Sequence, residues 1–292
     1  MSTPTTAPVL FSITGYSCSG LDWLGRLLAL HPQILIVHGT PALSRHGTGD
    51  LPHPNERRRT GAAAVAQAQA MAAARPGITH VGIVGVDGAI LDLPGQEIVV
   101  LRDGRDVVVQ WTLRQLREQG PALLGVLANC APDRPLCALR DLHRRDPATL
   151  HTTHRALLLA DYEWTRFATH LWDRVVDGHC FGLAEIQDGR SSADWPTEVF
   201  FEVARAAPRL CFDTLVRRLG LDPAAAPPFG CHDPVQATAS DEERMEWEVG
   251  AWSRWFTPRQ SGWFEMDGRQ GLAYTTGIQT EPWAGDCPPL PA

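Results

Sequence analysis

One stretch constrains the chain more than any other: Val9-Leu10-Phe11-Ser12-Ile13-Thr14-Gly15-Tyr16-Ser17-Cys18-Ser19-Gly20-Leu21-Asp22-Trp23-Leu24. An apolar run of strand length enters a turn rich in glycine and serine. An amphipathic segment follows, with Leu21, Leu24, Leu27 and Leu28 on one helical face, and it ends near His31-Pro32. A strand feeding a glycine-bracketed loop into a helix start aims several backbone N–H groups and the positive end of the helix dipole at one spot. That spot suits an anion, most simply a phosphate. The plainer alternative is a tight turn that only positions a packing helix.

Four residues separate Gly15 from Gly20, the interval of a Walker A loop, but Leu21 and Asp22 stand where that motif needs Lys and Ser/Thr. No lysine there reaches a β/γ-phosphate and no hydroxyl holds magnesium, which argues against an ordinary nucleoside triphosphatase. The chain contains no lysine, and all 26 of its Lys+Arg residues are arginine. Any role that needs a compact, titratable ammonium therefore falls to arginine, histidine or a backbone dipole, and a guanidinium does not deprotonate at working pH.

The chain has 292 residues, 44% of them hydrophobic, enough for a large α/β core. A net charge of −7 argues against a nucleic-acid surface. Seven cysteines without a C-x-x-C pair suit free thiols in a reducing compartment. No stretch is long and apolar enough to span a bilayer, and residues 1–6 lack the pattern of a secretion signal, so the expected location is cytoplasmic.

Beyond the first helix, Ile34–Val37 reads as a strand ending at His38-Gly39, Thr40–Thr60 as a loop or lid, and Ala62–Ala74 as an alanine-rich helix stopped by Pro76. Ile78–Asp87 is strand-like. The strand Ile98–Leu101 runs into Arg102-Asp103-Gly104-Arg105-Asp106 and a helix from Val107 to Glu118. An arginine at the carboxyl end of a parallel strand offers a guanidinium where such sheets bind ligands. The alternative is a turn in which Asp103 and Asp106 neutralise the two arginines and cap the helix.

Gly120–His154 reads as a variable region with a helix at Pro121–Asn129. His143, His151 and His154 match no metal-ligand spacing, so no metal is expected. Asp161–Asp177 is an amphipathic helix carrying Trp164, Phe167, Leu171, Trp172 and Val175 toward a core. Glu198–Val203 reads as a strand, Pro208–Leu219 as a helix closed by Gly220, and Trp283–Ala292 as a loose Pro-rich tail.

Four of these segments, in order, resemble the sulfotransferases that use 3′-phosphoadenosine 5′-phosphosulfate (PAPS): Ser19-Gly20-x-x-Trp23-Leu24; Val99 to Val109 with Arg102; Phe201 before Arg217-Arg218-Leu219-Gly220; and Gly250-Ala251-Trp252-Ser253-Arg254-Trp255-Phe256-Thr257. The resemblance implies a single α/β domain over residues 1–292, with a central parallel sheet flanked by helices and variable segments at 40–60 and 120–154. It also implies sulfuryl transfer from PAPS to a hydroxyl or amine of a small-molecule acceptor, leaving PAP. By the same resemblance Gly15, Tyr16, Ser17, Cys18, Ser19, Gly20, Leu21, Asp22 and Trp23 hold the 5′-phosphosulfate. Arg102 and Gln110 face the 3′-phosphate, and Phe201 stacks on the base. His80, after Thr79, is the general base, with Asp87 in reserve. No metal, nucleic acid or membrane is implied, and a homodimer is left open.

The chain departs from that family where charge is handled. Cys18 replaces the Lys or Arg before Ser-Gly, Leu21 replaces a threonine, Gln110 a serine, and Arg244-Met245-Glu246-Trp247-Glu248 stands where an Arg-Lys-Gly run is usual. A second reading follows: the same fold without PAPS, as a binding or partner protein or as an enzyme on another anion, with Cys18 at a helix start as a nucleophile.

Overall fold

The computed structural model describes residues 7–38, 54–85, 95–116, 153–187, 196–230 and 232–268, together with residues 145 and 275. Asp87, the segment 39–53, the expected helix at Pro121–Asn129 and the tail 283–292 lie outside them. The chain divides into two compact units: residues 1–101, 178–247 and 281–292 form unit 1, and residues 102–177 and 248–280 form unit 2.

Unit 1 is built on a parallel sheet of five strands: β1 (Val9–Gly15), β2 (Ile34–His38), β3 (His80–Val84), β4 (Gln96–Leu101) and β5 (Thr197–Phe200), in the order β2-β3-β1-β4-β5. Buried on both faces, a parallel strand needs a continuous apolar run rather than alternation, and Ile34–Val37 and Ile98–Leu101 supply it. The register sets Val9 beside His80 and Gly15 beside Val100. From β1 the chain fills one side of the sheet with β2 and β3, then the other with β4 and β5. The switch point therefore falls between β1 and β4, and ligands of open parallel sheets bind outside the carboxyl ends of such strands.

Helices cover the sheet as the sequence periodicity requires. Helix α1 (Leu21–Leu28) buries Leu21, Trp23, Leu24, Leu27 and Leu28 in a core with Phe11, Ile13, Ile98, Val100 and Phe212. Helix α2 (Pro54–Ala73) begins earlier than the alanine run suggests, so part of the expected loop 40–60 is helical; proline is well tolerated at a first helical position. Its Ala64, Ala68 and Ala72, spaced four apart, lie against Leu35, Val37, Val81 and Ile83.

The expected strand Glu198–Val203 stops at Phe200. Helix α6 (Phe201–Ala206) starts at once and is followed by α7 (Pro208–Arg218), α8 (Pro234–Ala237) and α9 (Asp241–Glu246). Glu202, Ala204, Arg205 and Ala206 are good helix formers, and they outweigh the short alternation that suggested a longer strand.

Unit 2 is helical: α3 (residues 104–116 of those described), α4 (Thr153–Ala160), residues 162–177 of α5 (Tyr162–Gln187), and α10 (Pro258–Asp267). Its core is aromatic. Trp111 stacks on Trp164 at 5.3 Å between ring centres, Trp164 Nε1 donates to Thr112 Oγ1 at 2.9 Å, and Trp172 meets Phe264 at 5.4 Å. Thr257 and Gln260 close a capping box at the start of α10. Among the described residues no helix is long and apolar enough to cross a membrane.

Candidate functional site

The loop from β1 to α1 is shaped by backbone. Gly15 adopts φ 153°, and a Cβ there would sit 2.5 Å from the Val100 carbonyl oxygen, so the close approach of β1 to β4 requires glycine. Tyr16 O accepts from Ser19 N–H at 3.0 Å, closing a turn in which Cys18 holds φ 67°. Cys18 is the one non-glycine residue with positive φ among those described. A side chain in that region costs on the order of 1 kcal/mol or more, a kind of strain that clusters at ligand-binding turns. Gly20, at φ 95° and ψ 23°, leads into α1, whose first intrahelical bond is Leu24 N–H to Gly20 O at 3.0 Å and whose first turn has no side-chain cap.

The side chains of this loop are mostly spent in packing. Tyr16, Cys18, Ser19, Leu21 and Trp23 are buried, Ser17 is half-buried, and Asp22 is exposed. Trp23 is fully buried, and its Nε1 donates to Asp233 Oδ2 at 2.9 Å, so it faces the core rather than a ligand. What the loop can offer an anion is main-chain N–H, the Ser17 hydroxyl and the dipole of α1.

Phe201 is also fully buried. It lies edge-on to Trp23 with ring centres 5.5 Å apart, and its ring fills the place where a Cβ on Gly20 would be. Its faces are taken by protein, and the expectation that it stacks on a base is corrected accordingly.

His80 also differs from expectation. It opens β3 at the amino edge of the sheet, beside Val9, and the β1–α1 loop leaves from the other end of β1. The length of β1 separates the two, about 20 Å at roughly 3.3 Å per residue. Both ring nitrogens are engaged: Nε2 donates to the Leu219 carbonyl at 2.9 Å, and Nδ1 is 2.9 Å from Thr79 Oγ1. Burial is the largest influence on its pKa, which is held below the usual value. His80 is a packed, neutral histidine and not the base of a reaction at that loop.

The titratable pair at the carboxyl edge is one the sequence reading passed over. His38 ends β2, and its Nδ1 is 3.2 Å from Oδ1 of Asp22 in the first turn of α1; both side chains are more than half exposed. The hydrogen bond that the His38 ring donates to Asp22 raises the His38 pKa, against burial and the positive charge of Arg26. The available signal was positional: a histidine directly after an apolar strand, as His38 follows Ile34–Val37.

Arg102 and Gln110 belong to unit 2, and both are buried. Arg102 is fully enclosed, with Nη2 donating to the Glu248 carbonyl at 2.6 Å and lying 3.9 Å from Asp106 Oδ2. Asp103 takes Arg105 Nε at 3.0 Å and also accepts from the Arg105 backbone N–H. Both arginines thus have the carboxylates that the alternative reading assigned them, in a buried turn rather than at a surface. Asp106 accepts N–H bonds from Gly250 at 2.7 Å and Trp252 at 2.9 Å, and burial raises its pKa in spite of these and of Arg102. Asp87 falls outside the described residues. Among those described, no group of three or more His, Cys, Asp or Glu could hold a metal.

No protein-family model matches the chain, and no curated protein does. Among solved structures it is similar to a mouse sulfotransferase in complex with PAP, at 14% identity over 93% of this chain and 88% of that one, with a TM-score of 0.47. It is similar also to the sulfotransferase domain of the Synechococcus PCC 7002 olefin synthase, at 14% identity over 96% of this chain and 98% of that one, with a TM-score of 0.45. Likeness at 14% identity speaks to no residue's role.

Proposed function

We propose that the chain transfers a sulfuryl group from PAPS to a hydroxyl or amine of a small acceptor, holding the phosphosulfate by main-chain N–H groups at the start of α1. The observation that carries this reading is the loop itself. Gly15, Cys18 and Gly20 all take positive φ in a turn that delivers an uncapped helix start to the switch point of a parallel sheet. PAPS would supply an activated sulfuryl group and a phosphate leaving group.

His38 is the general base in this reading. Asp22 fixes its Nδ1, which leaves Nε2 to take the acceptor's proton. With Cys18 in place of a cation, the loop itself sets backbone amides, the Ser17 hydroxyl and the α1 dipole, and no cationic side chain of its own, against the charge that develops on the phosphate. Losing such a cation is commonly worth about 3–4 kcal/mol, so turnover two to three decades slower than with a loop lysine is expected.

A second reading is favoured by the burial of Arg102 and Phe201. In it the loop takes a different oxyanion, and no adenosine group is recognised. Calorimetric titration separates the two. Binding of 3′,5′-adenosine bisphosphate in the micromolar range, well ahead of inorganic phosphate, supports sulfuryl transfer; equal weak heats from both support the second reading. No heat from either removes both.

A further inference from the structure

Unit 2 contains a cluster of arginines and tryptophans in which Arg155 and Trp255 take no part in the proposed function. The segment 248–256 carries Trp252 and Trp255, and each tryptophan is covered by a guanidinium. Arg105 Cζ lies 3.9 Å from the ring centre of Trp252, and Arg155 Cζ lies 3.5 Å from that of Trp255. Three arginines of this cluster have a carboxylate: Arg102 has Asp106, Arg105 has Asp103, and the exposed Arg254 has Glu248.

Arg155, in the first turn of α4, differs. It is 8% exposed and its Nε, like that of Arg102, is sealed from solvent without a hydrogen-bond partner, but unlike Arg102 it has no carboxylate paired with it among the described residues. Burial and the neighbouring Arg254 lower its pKa to about 10, against the pull of Glu248. It therefore stays charged at neutral pH. Glu248, the carboxylate that acts on it, is paired with Arg254, and a buried charge with no counter-ion of its own among the described residues is disfavoured unless something brings one. The face of Trp255 fixes the plane of the guanidinium, and a planar fork held in that way suits two oxygens arriving in its own plane.

We propose that Arg155, stacked on Trp255, anchors an oxyanion site within unit 2 that takes the carboxylate, sulfate or phosphate group of a small ligand. The site stands whether or not the β1–α1 loop binds PAPS.

The test uses the full chain and the ¹H–¹⁵N resonance of the Arg155 Nε–H group. That resonance is identified by its disappearance in Arg155→Gln, or in Arg155→Lys should the first variant fail to fold. Inorganic phosphate, sulfate and acetate are titrated separately at constant ionic strength, with chloride as the balancing anion. A saturable shift of this resonance with at least one of the three is expected, and the tightest of them names the group recognised. In calorimetry with that anion, Arg155→Lys is expected to bind about tenfold more weakly, the loss of one hydrogen bond. A resonance that stays still with all three anions, or moves only linearly with their concentration, overturns the proposal.

Discussion

Trp23 and Asp233 lie 210 positions apart in sequence, yet Trp23 Nε1 donates to Asp233 Oδ2 at 2.9 Å. The same carboxylate pairs with Arg205, and its Oδ1 accepts the N–H groups of Val235 and Gln236 at the start of α8. One partly buried side chain thus satisfies an indole, a guanidinium and a helix start. Asp233→Ala removes the partner of the indole and of the helix start and leaves Arg205 with Gln236 Oε1 at 3.1 Å but without this carboxylate, and it is expected to cost about 3–5 kcal/mol, the range for breaking a buried pair by removing one partner. Asp233→Asn keeps an oxygen for the cap and should cost less. Urea unfolding followed by tryptophan fluorescence measures both, and equal midpoints for wild type and Asp233→Ala would contradict the account.

The two histidines on opposite edges of the sheet should pull the stability in opposite directions with pH. His80 has its pKa lowered, by burial first, so the unfolded chain binds a proton more readily than the folded one. Its contribution is complete above the ordinary histidine value of about 6.5 and is lost as pH falls toward the lower, folded value. His38 has its pKa raised, through Asp22 first, so its contribution is complete below that ordinary value and is lost as pH rises through the folded one. Unfolding midpoints of His80→Gln are expected to fall less steeply than wild type on acidification from pH 7 to about pH 5. Those of His38→Gln should fall more steeply. Parallel curves for the three proteins would sink the assignment.

If His38 is the base, turnover should rise with pH through its raised pKa, because only the neutral ring can take a proton. Asp22→Asn removes the main cause of that elevation. The rising limb is then expected to move to lower pH, with a smaller maximum because the ring is less well oriented. His38→Gln should cut turnover by about two to four decades while sparing the binding of 3′,5′-adenosine bisphosphate. Unchanged turnover in His38→Gln would return the base to an unassigned residue.

How much of this was legible in the sequence depends on the range of the interaction concerned. The β1–loop–α1 unit, Ile34–Val37, Ile98–Leu101 and the stripe Leu21, Leu24, Leu27 and Leu28 are written in local periodicity, and the structure places them as read. The burial of Phe201 was not legible, since it depends on Gly20, far away in sequence, leaving room for its ring. His80 misled for a similar reason. A histidine at a strand end looks alike at either edge of a sheet, and only the parallel register with Val9 reveals which edge it occupies. In sequence His38 marks no more than the end of an apolar strand, because Asp22 approaches it only through the fold of α1 onto the sheet.

Gly20→Ala meets two separate obstacles. The residue sits at φ 95°, where a Cβ is unfavourable, and the added carbon would lie 2.2 Å from the Phe201 ring, which is fully buried and also meets Trp23. A loss of about 3 kcal/mol or more is expected from strain and overpacking together. Adding Phe201→Leu should relieve only the steric part, so the double variant should be more stable than the two single costs would sum to. Strict additivity would mean that the ring and the glycine do not meet.

The thiols distinguish the two functional readings. Cys211 is buried, and burial alone pushes its pKa up to about 12, so it should be inert at neutral pH. Cys18 is buried as well, 3% exposed and held in a turn at positive φ, with Ser17 Oγ 3.8 Å from its sulfur. A helix start lowers a thiol pKa, but alkylation also needs access, which this packing denies. Iodoacetamide at about pH 7.5 is expected to label neither residue in the native protein, and both should react once urea is added, on the order of a thousandfold faster. Peptide mapping by mass spectrometry separates these two from the other five cysteines of the chain. Rapid labelling of Cys18 in the native state, with loss of activity, would favour the reading in which its sulfur is a nucleophile and no PAPS is used.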